Sequence, residues 1–256
     1  MSIRALVTGA SSGIGETFAR RLATRGDDLV LVARRQDRLQ ALAEELGSCG
    51  VDVEVLPADL TTEEGLAAVE HRLASSTKPV DLLVNNAGFG SSGPFAEMAL
   101  ERELQMVELN IVAVMRLTRA ALVAMAERGA GTIVNLSSLA SFQALPLTAT
   151  YAATKAFVTS FTEALAEEAR GSGVRLQALC PGLTRTEFHA TAAWALPWVP
   201  GIAWQSAEQV VDASLAALET GRVVVIPGAL NKLAATASWL LPRRVVTYLV
   251  GTTLRR

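Results

Sequence analysis

A short branched run, Ile3 to Val7, breaks off at Thr8, Gly9, Ala10, Ser11, Ser12, Gly13, Ile14 and Gly15, and helix-compatible residues continue from there to Arg25. Strand, glycine turn, helix is the order that lays a pyrophosphate on a helix N-terminus, where unpaired amides and the helix dipole favour anions. Glycine permits positive φ and removes side chains that would keep backbone amides away from phosphate oxygens. A tight connection with no ligand is the plain alternative. Placed directly after a first strand, however, the turn asks for a parallel α/β sheet with its ligand at the strand ends.

The remainder of the chain keeps to that plan. Leu29 to Val32 is almost wholly apolar, as a strand buried on both faces must be, and it ends at Ala33, Arg34 and Arg35. An acidic residue there would accept a bond from a ribose 2′-hydroxyl, whereas arginine suits the additional phosphate of NADP. Arg34 and Arg35 therefore point to NADP(H), against the reading that they merely solubilise a helix start with Gln36, Asp37 and Arg38. Val51 to Leu56 predicts a third strand ending in Pro57, Ala58, Asp59 and Leu60; Asp81 to Val84 predicts a fourth ending in Asn85, Asn86, Ala87 and Gly88. Between them, Thr62 to Ser75 has helical spacing. Thr132 to Leu136, Val174 to Leu179 and Val223 to Ile226 extend the alternation. The expected fold class is α/β, a doubly wound parallel sheet of seven strands with helices on both faces. With 256 residues, half of them hydrophobic, residues 1–256 fit one domain.

Asp59 and the Asn-Asn-Ala-Gly segment would lie at the ligand edge of such a sheet, Asp59 in reach of an adenine amine. Both are also ordinary turn chemistry. Glu101 to Arg128 reads as one long apolar helix, and Met106, Asn110 and Val114 share a stripe, so Asn110 faces inwards and needs a bonded partner.

Composition removes several classes. A net charge of −2 argues against a nucleic-acid partner held by bulk electrostatics. Cys49 and Cys180 stand far apart and the histidines are His71 and His189, so neither a disulfide framework nor a metal site is expected. The N-terminus lacks the order of a signal peptide, and the expected location is cytoplasmic.

Tyr151 and Lys155 lie four residues apart on a predicted helix, a phenol and an ammonium on one face. A neighbouring cation favours the phenolate and is expected to lower the tyrosine pKa from about 10. Packing of a core tyrosine beside a solvated lysine is the other reading. Ser138, at the end of the fifth strand, has no histidine or carboxylate beside it in sequence, so its expected task is hydrogen bonding to a substrate oxygen.

These segments together resemble the short-chain dehydrogenase/reductase family, in its one-domain, NADP-preferring, Rossmann-type form. Thr8 to Gly15 is similar to that family's TGxxxGxG turn, Asn85 to Gly88 to its NNAG, Ser138 with Tyr151 and Lys155 to its catalytic serine and YxxxK, and Pro181-Gly182 to its PG turn. The resemblance implies a catalytic tetrad of Ser138, Tyr151, Lys155 and Asn110. It implies cofactor contacts from Gly9, Ser11, Ser12, Gly13, Ile14 and Gly15, from Arg34, Arg35, Asp59 and Leu60, from Asn86, Ala87 and Gly88, and from Tyr151, Lys155, Pro181, Gly182, Thr184 and Thr186. The activity implied is hydride transfer between nicotinamide and a carbonyl or secondary alcohol, with Tyr151 as general acid and Asn110 holding a relay water. A non-catalytic NADPH-binding regulator is the alternative, for which damage to the Ser, Tyr, Lys set would be expected. The family's habit implies a homodimer or homotetramer.

Residues 187–206 form the expected substrate loop, where Trp194, Trp198 and Trp204 point to a hydrophobic substrate or to a closed lid. From residue 230 to 256 the tail combines Lys232, Arg243, Arg244, Arg255 and Arg256 with leucines and valines and has no acidic residue. Such a tail suits peripheral contact with an anionic membrane, a cover for the cleft, or a subunit contact.

Overall fold

The computed structural model describes residues 2–188 and 201–242, together with 244 and 247. Seven strands, β1 (Arg4–Thr8), β2 (Asp28–Ala33), β3 (Val53–Pro57), β4 (Leu82–Asn85), β5 (Gly131–Leu136), β6 (Val174–Leu179) and β7 (Val224–Val225), form one sheet. Their order is β3-β2-β1-β4-β5-β6-β7 and every pairing is parallel. The chain order reverses between β1 and β4, and that switch point opens a crevice at the carboxyl edge, where Thr8 and Asn85 end their strands.

The apolar strands alternate between two cores. Ala5, Val7, Leu29 and Leu31 face one side, packed with Phe18 and Leu22 of α1 (Gly13–Thr24), Leu39 and Leu42 of α2 (Gln36–Gly47) and Val210 of α7 (Ala207–Glu219). Leu6, Val30 and Val32 face the other side, packed with Leu66 and Val69 of α3 (Glu63–Ala74) and Leu117 and Met125 of α5 (Val114–Arg128). A strand must be apolar on both faces to serve both, which is why the β1 and β2 segments lack an alternating pattern.

Among the elements that differ from the expectation are the third strand and the long helix. The third strand begins at Val53 and takes in Pro57, because its register is fixed by pairing Leu29–Ala33 with Val53–Pro57. The long helix is three pieces: α4 (Leu100–Val107), a π-helical turn (Glu108–Ala113) and α5. Leu100–Arg128 is long and apolar enough to cross a membrane by length and composition, but it packs against α3 and the sheet. Beyond β5 comes α6 (Ala149–Glu168), and beyond β7 comes α8 (Ala229–Leu240).

Candidate active site

The glycine turn is shaped by close approach. Gly9 and Gly13 sit at φ +65° and +57°, and a Cβ on Gly15 would meet Gly9 O at 2.4 Å. Thr8 fastens the turn to the next loop: its hydroxyl donates to Val84 O and accepts from the amides of Asn86 and Ala87. Asn86 returns the bond, Nδ2 to Thr8 O at 2.9 Å. Ser12 precedes α1 without any side-chain capping bond. The turn therefore offers a backbone cradle and a helix N-terminus uncapped by a side chain, which is the fit a dinucleotide diphosphate requires.

The arginines after β2 divide. Arg34 is exposed, its side chain 75% accessible and 3.9 Å from Asp59. Arg35 instead folds back onto the turn, donating to Ser11 Oγ, Ser11 O and Ser12 Oγ. Asp59 accepts from Thr61 N and Oγ1, opening the turn into α3. Leu60 is buried in a core cluster, so its side chain is withheld from any ligand.

At the other end of the crevice, Tyr151 and Lys155 occupy the first turns of α6, each with 5% of its surface accessible. Ser138 ends the strand-to-turn corner, accepts from Ala140 N, and hydrogen-bonds the Tyr151 hydroxyl. Lys155 Nζ donates to Leu136 O at 2.7 Å and stands 5.9 Å from the Tyr151 ring centre. Gly88 leaves room for this ammonium; a Cβ there would lie 3.6 Å from it and 2.9 Å from Asn110 Oδ1. Ser137, one residue before Ser138, bonds Lys155 O and Thr159, fixing α6 against β5.

The expected direction of the tyrosine shift is reversed. Burial pushes the Tyr151 phenol up to about 12; its Ser138 bond pulls it back only in part, and the neighbouring Cys180 adds to the rise. Burial likewise lowers Lys155 to about 8. The desolvation of both groups outweighs the attraction that their sequence spacing implies. At neutral pH the phenol is protonated, the form a general acid needs.

Asn110 lies on the π-helical turn, wholly buried. Its Oδ1 accepts from Phe89 N, and its Nδ2 donates to Phe89 O and Thr154 Oγ1. The side-chain amide thus clasps the loop after β4 to α6. Thr184 is buried and donates to Gly182 O, while Thr186 lies against Gly13. Pro181 O accepts from Leu139 N, which ties the PG turn to the Ser138 corner.

Sequence reasoning missed the apolar wall. Phe188 meets Tyr151 with ring centres 5.6 Å apart, and Phe89 and Leu145 pack with Tyr151 and Met106. A Cβ on Gly90 would strike both Phe188 and Tyr151, so that glycine keeps the wall close. The position of Phe188 at the head of the expected substrate loop was the available signal. Trp194, Trp198 and His189 lie outside the described residues, as does most of the tail beyond 242. Among the described residues no group of acids, histidines and cysteines is disposed to hold a metal.

Known proteins resemble this chain over most of its length. The sequence pattern of the family described as short chain dehydrogenase matches residues 4–195. A short-chain dehydrogenase from Sphingobium yanoikuyae, solved in complex with NADPH, is 38% identical with a TM-score of 0.84, covering 94% of this chain and 97% of its own. The bulky-bulky ketone specific alcohol dehydrogenase from Comamonas testosteroni is 37% identical with a TM-score of 0.80, covering 93% of each chain. A putative ketoacyl reductase of Streptomyces coelicolor is 37% identical over 223 residues, 86% of this chain and 84% of the relative.

Proposed function

The chain belongs to the short-chain dehydrogenase/reductase family, an NADP(H)-dependent oxidoreductase on a Rossmann-type sheet, and from that premise we propose that it reduces bulky apolar ketones. The observation that carries this reading is the wall of Phe89, Leu145 and Phe188 packed around a buried, protonated Tyr151. A small polar carbonyl would leave that wall wet, whereas apolar groups on both sides of a ketone would cover it.

NADPH, when held at the glycine turn, would supply the hydride for the carbonyl carbon. Ser138 Oγ holds the carbonyl oxygen, and the Tyr151 hydroxyl gives that oxygen its proton. Lys155, fixed to Leu136 O, keeps its ammonium beside the phenol and stabilises the negative charge that the phenol acquires as the proton leaves. Asn110 holds the floor of the site by joining Phe89 to Thr154. At the cofactor end, the amides of the glycine turn would hold the diphosphate, Arg34 and Arg35 the 2′-phosphate, and Asp59 the adenine. Asn86, Ala87 and Gly88 would line the cofactor, as would Pro181, Gly182, Thr184 and Thr186.

The resemblance of this chain to a Streptomyces coelicolor protein named as a putative ketoacyl reductase favours acyl thioesters as a second reading. A panel of aldehydes, dialkyl and aryl ketones and acyl thioesters, followed by NADPH absorbance, separates the two. The ketone reading expects kcat/KM to rise with bulk on both sides of the carbonyl. A maximum with thioesters and none with bulky ketones rejects it.

We read the whole of 1–256 as one catalytic domain acting in the cytoplasm, assembled as a dimer or tetramer. The exposed Leu100, Leu104, Met115 and Val123 along α4 and α5 support a subunit contact. On the tail side, exposed Leu230 and Leu233 with Lys232 support peripheral membrane contact as a lesser role.

A further inference from the structure

Arg35 has five N–H donors in a fixed fork, and their directions are accounted for. Nε and Nη2 are spent on Ser11 and Ser12. Nη1 faces outward and meets the carboxylate of Glu187 at 3.3 Å. Arg38, one helical turn further along α2, brings its own Nη1 to the same carboxylate, at 3.0 Å from one oxygen and 3.2 Å from the other. Glu187 is half exposed, and the two guanidinium groups hold its carboxyl below the usual carboxylate range.

We propose that Glu187 sets the coenzyme preference of this enzyme by competing, as an internal anion, with the 2′-phosphate of NADP(H) for Arg35 and Arg38. The inference rests on the assignment of this corner to the 2′-phosphate. A phosphate needs charge-assisted N–H bonds of the kind Glu187 now accepts, and the serine-bound face of Arg35 cannot provide them without giving up its bonds to Ser11 and Ser12. Glu187 must therefore give way for a phosphate to engage Arg35 fully. NADH makes no such demand, because a ribose hydroxyl carries no charge to be matched. The carboxylate thus weakens NADPH binding and leaves NADH binding as it is, which narrows the gap between the two. Pairs this exposed are weak, so the expected effect is a few-fold and screened by salt.

The test is calorimetric titration of the full chain with adenosine 2′,5′-bisphosphate and with 5′-AMP, comparing wild type, Glu187→Gln and Glu45→Gln. Glu45 pairs with Arg20 elsewhere on the surface and controls for the change in net charge. Glu187→Gln should bind the bisphosphate about three- to fivefold more tightly, with 5′-AMP unchanged, and the gain should shrink toward one at about 1 M salt. Glu45→Gln should leave the ratio of the two ligands unaltered. Equal or weaker bisphosphate binding by Glu187→Gln, or the same gain in Glu45→Gln, overturns the competition while leaving NADP use intact. A wild type that binds the bisphosphate no better than 5′-AMP overturns both the competition and the phosphate assignment beneath it.

Discussion

At the Tyr151 end of the cleft the functional groups are buried and their bonds are taken up by neighbouring protein atoms. At the Arg35 end, the side chains of Arg34, Arg35, Arg38 and Glu187 are between 40% and 75% accessible and pair through water-exposed contacts. The two ends solve different problems. Proton transfer needs a phenol in one position and one protonation state, and desolvation supplies both. Recognition of a dianionic phosphate needs only several cations within reach, and these can exchange partners at small cost. Substitutions at the buried end should therefore cost orders of magnitude and those at the exposed end about tenfold or less.

The largest effect expected is that of Tyr151→Phe. Removing the hydroxyl deletes the proton donor and its Ser138 bond while keeping the ring against Phe188. We expect kcat to fall by about 10³-fold, with NADPH affinity, measured by nucleotide fluorescence, nearly unchanged. Retention of a tenth or more of the activity would break the assignment.

Next comes a dependence of stability on pH that belongs to the buried end alone. Lys155 titrates at about 8 in the folded protein against an ordinary value of 10.5. Between those values the unfolded chain holds a proton that the native chain has lost, so stability rises with pH. Tyr151 works oppositely: from about pH 10 to 12 the native chain keeps a proton that the unfolded chain has released, and stability falls. In urea unfolding, Lys155→Met should remove a rise of about 3 kcal/mol between pH 8 and 10 and leave the later fall. Parallel pH curves for the two proteins would mean that Lys155 is not desolvated in solution.

The difference between the two ends also explains what the sequence could reveal. The alternation of strand and helix, the doubly wound parallel sheet it implies and the motif residues were legible because apolar runs, glycines and spacing are local properties. Tyr151, Lys155, Ser138 and Asn110 do converge on one floor. The direction of the Tyr151 shift was not legible, since it depends on how deeply α6, β5 and the Phe188 segment cover the phenol. Nor was the π-helical turn at Asn110, which comes from the clasp between Phe89 and Thr154 across elements distant in the chain. Arg34 and Arg35 are adjacent and chemically identical, so nothing local separates the one that lies on the turn from the one that points into water.

That distinction has a measurable size at Arg35. Its guanidinium is held by Ser11 and Ser12, so little freedom is lost when a phosphate binds, and Nη1 already points outward. Arg35→Gln should weaken NADPH binding about tenfold and NADH binding hardly at all. An equal loss for both coenzymes would make Arg35 a prop of the glycine turn and no reader of the phosphate.

Arg34→Gln should show the smallest effect. Its side chain is the most exposed of the group, and the carboxylate that faces it, that of Asp59, stands 3.9 Å away. A guanidinium without an anchor must give up its rotamer freedom when a phosphate arrives, at a cost of about 0.5–1.5 kcal/mol that offsets much of the contact. We expect NADPH affinity to fall about threefold, less than for Arg35→Gln, and the difference from wild type to vanish at high salt, where an exposed charge is screened. A loss as large as that of Arg35→Gln would mean that Arg34 is the principal phosphate ligand and that Arg35 chiefly braces the turn, reversing the ranking that exposure and anchoring give.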